Sequence, residues 1–431
     1  MSSHRLFEST PACAEGLDAD DRLARFRDLF FVPTDSSGSE QVYFCGNSLG
    51  LQPRTAVDSV KEVLEDWRQF AVAGHLEGRH PWLPYHEFLA DQLAELVGAL
   101  PLEVVAMNTL TVNLHLMMVS FYRPSSDRNR ILIEKHAFPS DRYAVESQIR
   151  FHGFDPEDAL VELSAREGEH CLRLEDVAET IDRLGNTLAL AVLPGVQYYT
   201  GQYLDPAELT PLIHAVGAAA GYDLAHATGN LPVGLHDSGA DFAVWCSYKY
   251  MNAGPGAIAG CFVHERHARD ETLPRFAGWW GHDKHTRFLM DPGFQVMSGA
   301  EGWQLSNPSI FAAAPLLASL QIFHDAGIDR LRDKSLKLTG FLEFLLRERL
   351  AGQIEILTPS QPEQRGCQLS LKVRDPRHAG KQLHRRLEEA GCISDWREPD
   401  VIRVAPVPLY NRFRDVWAFV DTLADLLGPS A

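Results

Sequence analysis

Two residues of this chain have the types and placement needed for amino-acid chemistry. Asp223 closes a short apolar segment that begins near Gly221, and Lys249 lies just after a second one at 242–246. Each alone would more simply be a solvated acid or a surface lysine. Together they match the needs of pyridoxal phosphate (PLP): a lysine binds the aldehyde as a Schiff base, and an acid keeps the pyridine nitrogen protonated so that the ring accepts electrons. The small residues at 252–260 leave room around the lysine. We therefore predict PLP as cofactor.

The elements around these residues alternate between short apolar strands and helices. Strands are predicted at 104–107, 131–134, 188–194 and 242–246. Helices are predicted at about 20–30, 54–73, 85–98, 111–122, 139–150, 173–184 and 206–219. This alternation indicates an α/β fold with a mainly parallel sheet covered on both faces, in which ligands bind at the carboxyl ends of the strands.

The pattern changes after Asn307. Two long helices (310–326 and 328–350) precede a strand at 368–374, a helix at 379–390, a strand at 401–405 and a final helix. These elements indicate a smaller α+β domain. We predict an N-terminal arm at 1–50, a large PLP-binding domain at 51–309 and a small C-terminal domain at 310–431.

Composition excludes some classes of partner. The 431 residues are 45% hydrophobic with a formal net charge of −18, which argues against nucleic acid or an anionic membrane as a partner. Seven cysteines without CxxC pairs indicate neither a disulfide framework nor a zinc module, and we assign no metal. The first eight residues lack the apolar core of a signal peptide, and no apolar run reaches membrane-spanning length. We expect a cytoplasmic protein.

Several longer motifs resemble those of the kynureninase family, in the family's order, from about residue 40 to the C-terminus. They begin at Tyr43 (YFCGNSLGLQP), Leu110 (LTVNLH), Phe138 (FPSD), Asp223 (DLAH), Cys246 (CSYKYMNAG), Gly278 (GWWGH) and Ile402 (IRVAPVPLYN). The resemblance implies a fold type I, aspartate-aminotransferase-like PLP enzyme, usually a homodimer with active sites at the subunit interface. It also implies hydrolytic Cβ–Cγ cleavage of kynurenine or 3-hydroxykynurenine to alanine plus anthranilate or 3-hydroxyanthranilate, in tryptophan catabolism and NAD biosynthesis.

The resemblance also implies roles for individual residues. Lys249, Tyr248 and Asp223 are expected to be catalytic, with Lys249 as the base that removes the α-proton. Residues expected to contact the cofactor are Leu110, Thr111 and Tyr248 at the phosphate, Phe138, Pro139, Ser140 and Asp141 near the ring, and Asp223, His226, Lys249, Trp279 and Asn307. Trp279 and Asn307 are expected to reach the site from the other subunit. Residues expected to bind substrate are Arg403 at the carboxylate, and His75, Ser48 and Asn307 at the aryl ring.

Two positions bear on the details. Pro194 stands where the family often has a serine that touches the phosphate or ring, and a proline has neither hydroxyl nor N–H to offer. His75 and Asn307 place polar groups where a ring hydroxyl would lie, which predicts a preference for 3-hydroxykynurenine. The alternative is that His75 only packs near Gly74 and both substrates are accepted equally.

Other functions are compatible with parts of the pattern. A cysteine desulfurase or an aminotransferase would use the same Asp and Lys. The desulfurase also needs a reactive cysteine on a mobile loop, and the only candidate, Cys367, precedes an alternating strand. A non-catalytic nucleotide- or phosphate-binding module is disfavoured because the chain has no Walker loop and no Rossmann glycine motif.

Overall fold

A computed structural model of the chain describes residues 7–290, 293–375, 377 and 379–429. Residues 1–6, which belong to the predicted arm and to the segment used to expect a cytoplasmic location, lie outside the described residues. So do residues 291 and 292 of the predicted large domain and residues 376, 378, 430 and 431 of the predicted small one.

The strands form one large sheet and two smaller ones. They are β1 Val42–Tyr43, β2 Val104–Ala106, β3 Arg130–Glu134, β4 Leu160–Leu163, β5 Leu188–Pro194, β6 Ala219–Asp223, β7 Phe242–Trp245, β8 Gly260–Val263, β9 Ile354–Ile356, β10 Leu369–Val373, β11 Cys392–Ile393, β12 Asp395–Arg397 and β13 Val401–Val404. The large sheet has the order β2-β8-β7-β6-β5-β3-β4. Strands β3 to β7 pair in parallel, and β8 is antiparallel to both of its neighbours. The predicted mainly parallel sheet is confirmed.

Most of the predicted helices are confirmed. The helices are α1 Pro11–Ala19, α2 Ala56–Phe70, α3 Glu87–Val97, α4 Leu110–Phe121, α5 Pro139–Phe151, α6 Pro156–Ala159, α7 Leu174–Leu184, α8 Pro206–Ala215, α9 Leu235–Ser238, α10 Ile310–Ala326, α11 Ile328–Arg349, α12 Gly380–Glu389 and α13 Phe413–Leu427. Three short helices, α1, α6 and α9, were not predicted. The helix predicted at 206–219 ends earlier, because Gly217 takes a positive φ of 74° and β6 begins at Ala219.

One predicted helix is wrong. Residues 20–30 contain only a short 3₁₀ segment, Ala24–Leu29, after α1 has ended. The Asp21 carboxylate accepts a hydrogen bond from the Leu23 amide at 2.9 Å, which closes a turn. The same carboxylate forms an ion pair with Lys334 at 2.7 Å, with both side chains buried. A tertiary contact therefore holds this segment out of the helix that its local pattern favours.

The large sheet is buried on both faces. Along β5, Leu190 and Val192 join one hydrophobic cluster, whereas Ala191 and Leu193 join the other. Successive residues of a strand point to opposite faces, so a parallel strand with helices on both sides is apolar throughout. The carboxyl ends of the parallel strands lie along one edge of the sheet, between the helical layers.

The small domain is built on the antiparallel sheet β12-β13-β10-β9, which packs against α11, α12 and α13. Strand β1 pairs with β11, and Ala14 and Phe44 of the N-terminal segment enter the core of this domain. Helix α10 contributes its buried residues to the core of the large domain. The predicted boundary at residue 310 stays a prediction, and the packing of α10 favours a later one.

Among the described residues, no single helix has both the length and the apolar composition to cross a membrane. Helices α10 and α11 meet the criterion only as a pair, and the chain bends by 78° between them.

Candidate active site

A cavity of about 250 Å³ lies at the carboxyl edge of the large sheet. It is surrounded by the ends of β3, β5, β6 and β7 and by the first residues of α4 and α5. Nine predicted site residues line it: Leu110, Thr111, Phe138, Ser140, Asp141, Asp223, His226, Tyr248 and Lys249. Pro139 is the first residue of α5, between two of these lining residues.

Asp223 lies at the end of β6 and is buried. Its Oδ1 accepts a hydrogen bond from the Ala225 amide at 2.7 Å, and its carboxyl is hydrogen-bonded to that of Asp141. Burial raises the pKa of both carboxyls, and the charge of Asp223 raises that of Asp141 further. Two buried acids in contact do not ionise together unless a cation joins them. The pair therefore suits a protonated ring nitrogen.

Lys249 projects into the cavity from the turn after β7. Its Nζ lies 3.0 Å from Nε2 of His226 and 5.7 Å from the ring centroid of Phe138. Burial, and then the positive charge of Lys249, lower the pKa of His226 well below its usual value. A neutral imidazole can accept a hydrogen bond at Nε2, so His226 can orient the lysine amine.

The turn that carries Lys249 is held by the N-terminal Gly-Asn-Ser-Leu-Gly motif. The Gly50 amide donates to the Tyr248 carbonyl at 2.9 Å, and the Asn252 amide donates to the Lys249 carbonyl at 2.9 Å. A Cβ on Gly50 would overlap the Lys249 carbonyl oxygen and lie 2.8 Å from the Asn252 Cα. The motif therefore needs glycine at position 50 because two backbone segments meet there.

The amino end of α4 closes another side of the cavity. The helix begins at Leu110, and its N-cap residue Thr109 makes no side-chain capping hydrogen bond. The free amides and the helix dipole suit an anion such as a phosphate. The Tyr248 ring also lines this cavity, and burial raises the pKa of its hydroxyl, so the hydroxyl remains a donor. Pro194 lines the cavity at the end of β5, paired in register with Asp223.

Arg403 lies on β13 and is almost fully buried. Its Nη1 donates to the Tyr198 carbonyl at 2.8 Å, and its Nη2 donates to Ser48 Oγ at 3.3 Å and forms an ion pair with Asp395. Its Nε–H is buried and has no acceptor among the described residues. Burial lowers the pKa of Arg403 to about 10, so the guanidinium remains charged at neutral pH. Tyr198, whose carbonyl it binds, lines the cavity.

Six of the predicted residues are not among those that line this cavity: Pro139, Ser48, Arg403, His75, Trp279 and Asn307. Three of them, His75, Trp279 and Asn307, line a second cavity of about 490 Å³. We call the residues that line this second cavity the aromatic patch; they are Val72, His75, Leu76, Leu83, Trp279, Trp280, Phe288 and Asn307. Several apolar side chains of this patch are exposed, with Val72 at 81% and Leu76 at 75%. We call the first cavity the cleft. Within one chain, the structure therefore separates the nine predicted residues that line the cleft from the three that belong to the aromatic patch.

Sequence reasoning missed three residues near the cleft. Glu134 lines the cavity at the end of β3, and burial together with the charge of Asp223 raises its pKa to about 8. An acid that closes an apolar strand is the signal that marked Asp223, and it could have identified Glu134 as well. Tyr198 contacts Arg403 through its backbone carbonyl, and Asp395 contacts Arg403 from the neighbouring strand. Neither contact has a local signal in the sequence.

The structure argues against the desulfurase alternative. Cys367 is fully buried beside β10, and burial raises the pKa of its thiol to about 12. A desulfurase needs a nucleophilic thiolate on a mobile segment, whereas a buried thiol with a raised pKa is unreactive.

Comparison with solved structures confirms the predicted fold type I architecture. A cysteine desulfurase from Thermococcus onnurineus NA1 superposes with a TM-score of 0.73 at 18% identity, covering 99% of each chain. The cystine C-S lyase C-DES, in complex with its reaction product cysteine persulfide, superposes with a TM-score of 0.75 at 19% identity, covering 89% of this chain and 97% of its own. At these identities the likeness concerns the fold alone.

Sequence comparison identifies the family. The profile of the kynureninase C-terminal domain matches residues 331–423. The kynureninase of Myxococcus xanthus (strain DK1622) is 57% identical over 423 residues, covering 98% of this chain and 99% of that protein. The kynureninase of Koribacter versatilis (strain Ellin345) is 56% identical over 414 residues, covering 96% and 97%. The resemblance seen in the motifs thus extends over nearly the whole length, and the chain belongs to the kynureninase family.

Proposed function

We propose that the cleft binds PLP and that the enzyme hydrolyses the Cβ–Cγ bond of kynurenine or 3-hydroxykynurenine. The observation that carries this proposal is the placement of Lys249 and Asp223 on the same small cavity at the carboxyl edge of the sheet. An amine and a buried acid that face one cavity are the two groups PLP chemistry requires.

The lining residues fit each part of the cofactor. The amides at the start of α4, with Thr111 and Tyr248, would hold the phosphate. Asp223 and Asp141 would hold the ring nitrogen, because a cation relieves the cost of two adjacent buried acids. Phe138 would pack on the ring, and the small residues Gly256 and Ala257 leave space on another side of the cavity.

The chain's own residues would then carry the proton transfers. When bound, PLP supplies an electron sink for negative charge next to the substrate amine. Lys249 would remove the α-proton as general base, oriented by neutral His226. Arg403 would hold the substrate carboxylate, since its buried Nε–H has no acceptor among the described residues and a guanidinium stays charged.

A product assay tests the proposed reaction. Purified enzyme with PLP is incubated separately with kynurenine, 3-hydroxykynurenine, cysteine, and an amino donor with a keto acid. We expect anthranilate or 3-hydroxyanthranilate together with alanine. Formation of sulfide from cysteine, or transamination without cleavage of either kynurenine, would refute the proposal.

We also propose that two copies of the chain complete each site. The aromatic patch exposes a cluster of apolar side chains around His75, Trp279 and Asn307, and exposed clusters of this kind mark interaction surfaces. The occupant that best fits the patch is a second copy, because the three polar or aromatic residues predicted to reach the cofactor and substrate lie there and not at their own cleft. The functional unit would then be a homodimer.

A subunit-mixing experiment tests this arrangement. Lys249→Ala disables the cleft and Trp279→Ala disables the patch, so each variant alone should have little activity. In a dimer with shared sites, an equal mixture after subunit exchange should recover about a quarter of the wild-type activity, since half of the dimers are hybrids with one intact site. No recovery, despite hybrids detected by native mass spectrometry, would place Lys249 and Trp279 in the same subunit's site.

The aromatic patch also bears on substrate choice. His75 and Asn307 line one cavity, so their polar groups can act on the same part of a ligand. His75 is partly engaged, since its Nδ1 lies 3.0 Å from the Val72 carbonyl oxygen and its ring packs on Trp82. Nε2 is the ring nitrogen that remains for a hydroxyl. We therefore propose a preference for 3-hydroxykynurenine, because a site built to bind a hydroxyl penalises the analogue without it.

A further inference from the structure

One carboxylate oxygen of Asp395 contacts three donor groups. This oxygen, Oδ2, accepts hydrogen bonds from Ser48 Oγ at 2.7 Å and from Arg397 Nη2 at 2.7 Å, and it forms the ion pair with Arg403. Register explains the convergence: Asp395 lies directly opposite Arg403 on the neighbouring strand, and Arg397 is two residues further along the same strand. Residues two apart on a strand share a face, so all three charges meet on one side of the small sheet.

The charges in this cluster do not balance. Two guanidinium groups share one carboxylate, which leaves one positive charge in excess beside the cleft. Arg403 is 1% exposed and Asp395 is 12% exposed, so water screens the charge of Arg403 poorly, whereas Arg397 is 32% exposed. The Nε–H groups of both arginines are buried without an acceptor among the described residues. The excess positive charge and the unused N–H donors suit the binding of one further carboxylate.

We propose that Asp395 is a positioning residue that presets Arg403 for the substrate carboxylate. The inference rests on the proposed role of Arg403 as the carboxylate anchor. Asp395, together with Ser48, holds Nη2, while the Tyr198 carbonyl holds Nη1. The guanidinium is then fixed in orientation, and its Nε–H remains for the substrate. Without the carboxylate, the two adjacent guanidinium groups would repel each other and Arg403 would lose this orientation.

The opposite expectation also has a physical basis. Asp395 is itself a carboxylate on Arg403, so removing its charge could free the guanidinium and strengthen substrate binding. The geometry favours positioning, because the contacts with Asp395 and Tyr198 leave the Nε–H of Arg403 without an acceptor among the residues that the structure describes. The sign of the change in KM decides between the two.

A double-mutant cycle tests the proposal, with kynurenine as substrate and PLP-loaded enzyme. Asp395→Asn should raise KM about tenfold or more and change kcat by less than about threefold, because it weakens a charge-assisted contact that acts on binding. In an Arg403→Gln background, the same change should alter KM by less than about twofold. The inhibition constant of the decarboxylated analogue of kynurenine should not change in Asp395→Asn, since that amine has no carboxylate.

Controls separate this role from a structural one. Asp400→Asn is the matched control, because Asp400 contacts Lys372 and Tyr199 and not Arg403, and its KM should equal that of wild type. Ser48→Ala removes one donor to Asp395 and the hydroxyl that accepts from Arg403 Nη2, without changing the charge. It should raise KM to a smaller extent, even if Asp395→Asn folds poorly.

Each outcome has a definite meaning. An unchanged or lower KM in Asp395→Asn, or an equal effect with and without Arg403, overturns the positioning role while leaving the proposed function intact. An unchanged KM in Arg403→Gln alone shows instead that Arg403 does not anchor the substrate carboxylate. That result overturns both the proposed role of Arg403 and the positioning role of Asp395.

Discussion

The close approach between Gly50 and the Lys249 turn leads to a quantitative prediction for Gly50→Ala. An added Cβ would lie 2.8 Å from the Asn252 Cα, whereas ordinary contacts begin near 3.4 Å, so the turn must move by about 0.6 Å or more. The Lys249 carbonyl oxygen lies closer still, and both obstacles involve backbone. Overpacking of this kind costs about 1–3 kcal/mol of unfolding free energy. A displacement of about 1 Å at a catalytic group costs about 100-fold in rate.

Urea unfolding and steady-state kinetics with kynurenine measure both quantities. Gly50→Ala should lose about 1–3 kcal/mol of unfolding free energy and should show a kcat between about 10-fold and 100-fold below wild type. Gly16→Ala is the matched control: Gly16 lies in α1, and no atom of the described residues lies within 4 Å of an added Cβ. That variant should gain about 0.5–1 kcal/mol with unchanged kcat. Wild-type kcat and stability in Gly50→Ala would show that this contact does not position Lys249.

Three further predictions concern the cleft and the patch. Lys249→Ala should abolish turnover and the covalent attachment of PLP, and steady-state product formation without added amine would contradict its role. The double variant His75→Trp, Asn307→Thr should shift the ratio of kcat/KM away from 3-hydroxykynurenine toward kynurenine; a wild-type preference for kynurenine, or an unmoved ratio, would contradict the proposed preference. Burial raises the pKa of the Glu134 carboxyl from 4.5, its value in the unfolded chain, to about 8 in the folded protein. The unfolded chain therefore loses this proton at a lower pH than the folded protein does. The free energy of unfolding of the wild-type protein consequently falls as pH rises from 4.5 to about 8. Relative to Glu134→Gln, wild type should lose about 3 kcal/mol more between pH 6 and pH 9 in urea unfolding, and parallel pH profiles would show that Glu134 ionises normally.

Local signals in the sequence were sufficient to predict that Asp223 and Lys249 lie at one cavity. Asp223 and Lys249 could be predicted because each lies at or just beyond the end of an apolar strand, and parallel strands bring such ends to a common edge. The helix predicted at 111–122, which the structure has at Leu110–Phe121, and the order of strands and helices followed from the same kind of local pattern. Strand β8 was missed because it is short and follows a glycine-rich segment that indicates a loop.

Contacts between segments far apart in the sequence determined the features that local patterns could not predict. Residues 20–30 do not form a helix because Asp21 pairs with Lys334, more than 300 positions away. Asp395 meets Arg403 only through the antiparallel register of β12 and β13, where a shift of one residue would turn either side chain to the other face. His75, Trp279 and Asn307 come together on a surface separate from the cleft because the helical layers bring three distant segments to one cavity. Residue types and strand ends thus determined which chemistry is available, whereas strand register and helix packing determined which groups meet, because those depend on the whole chain at once.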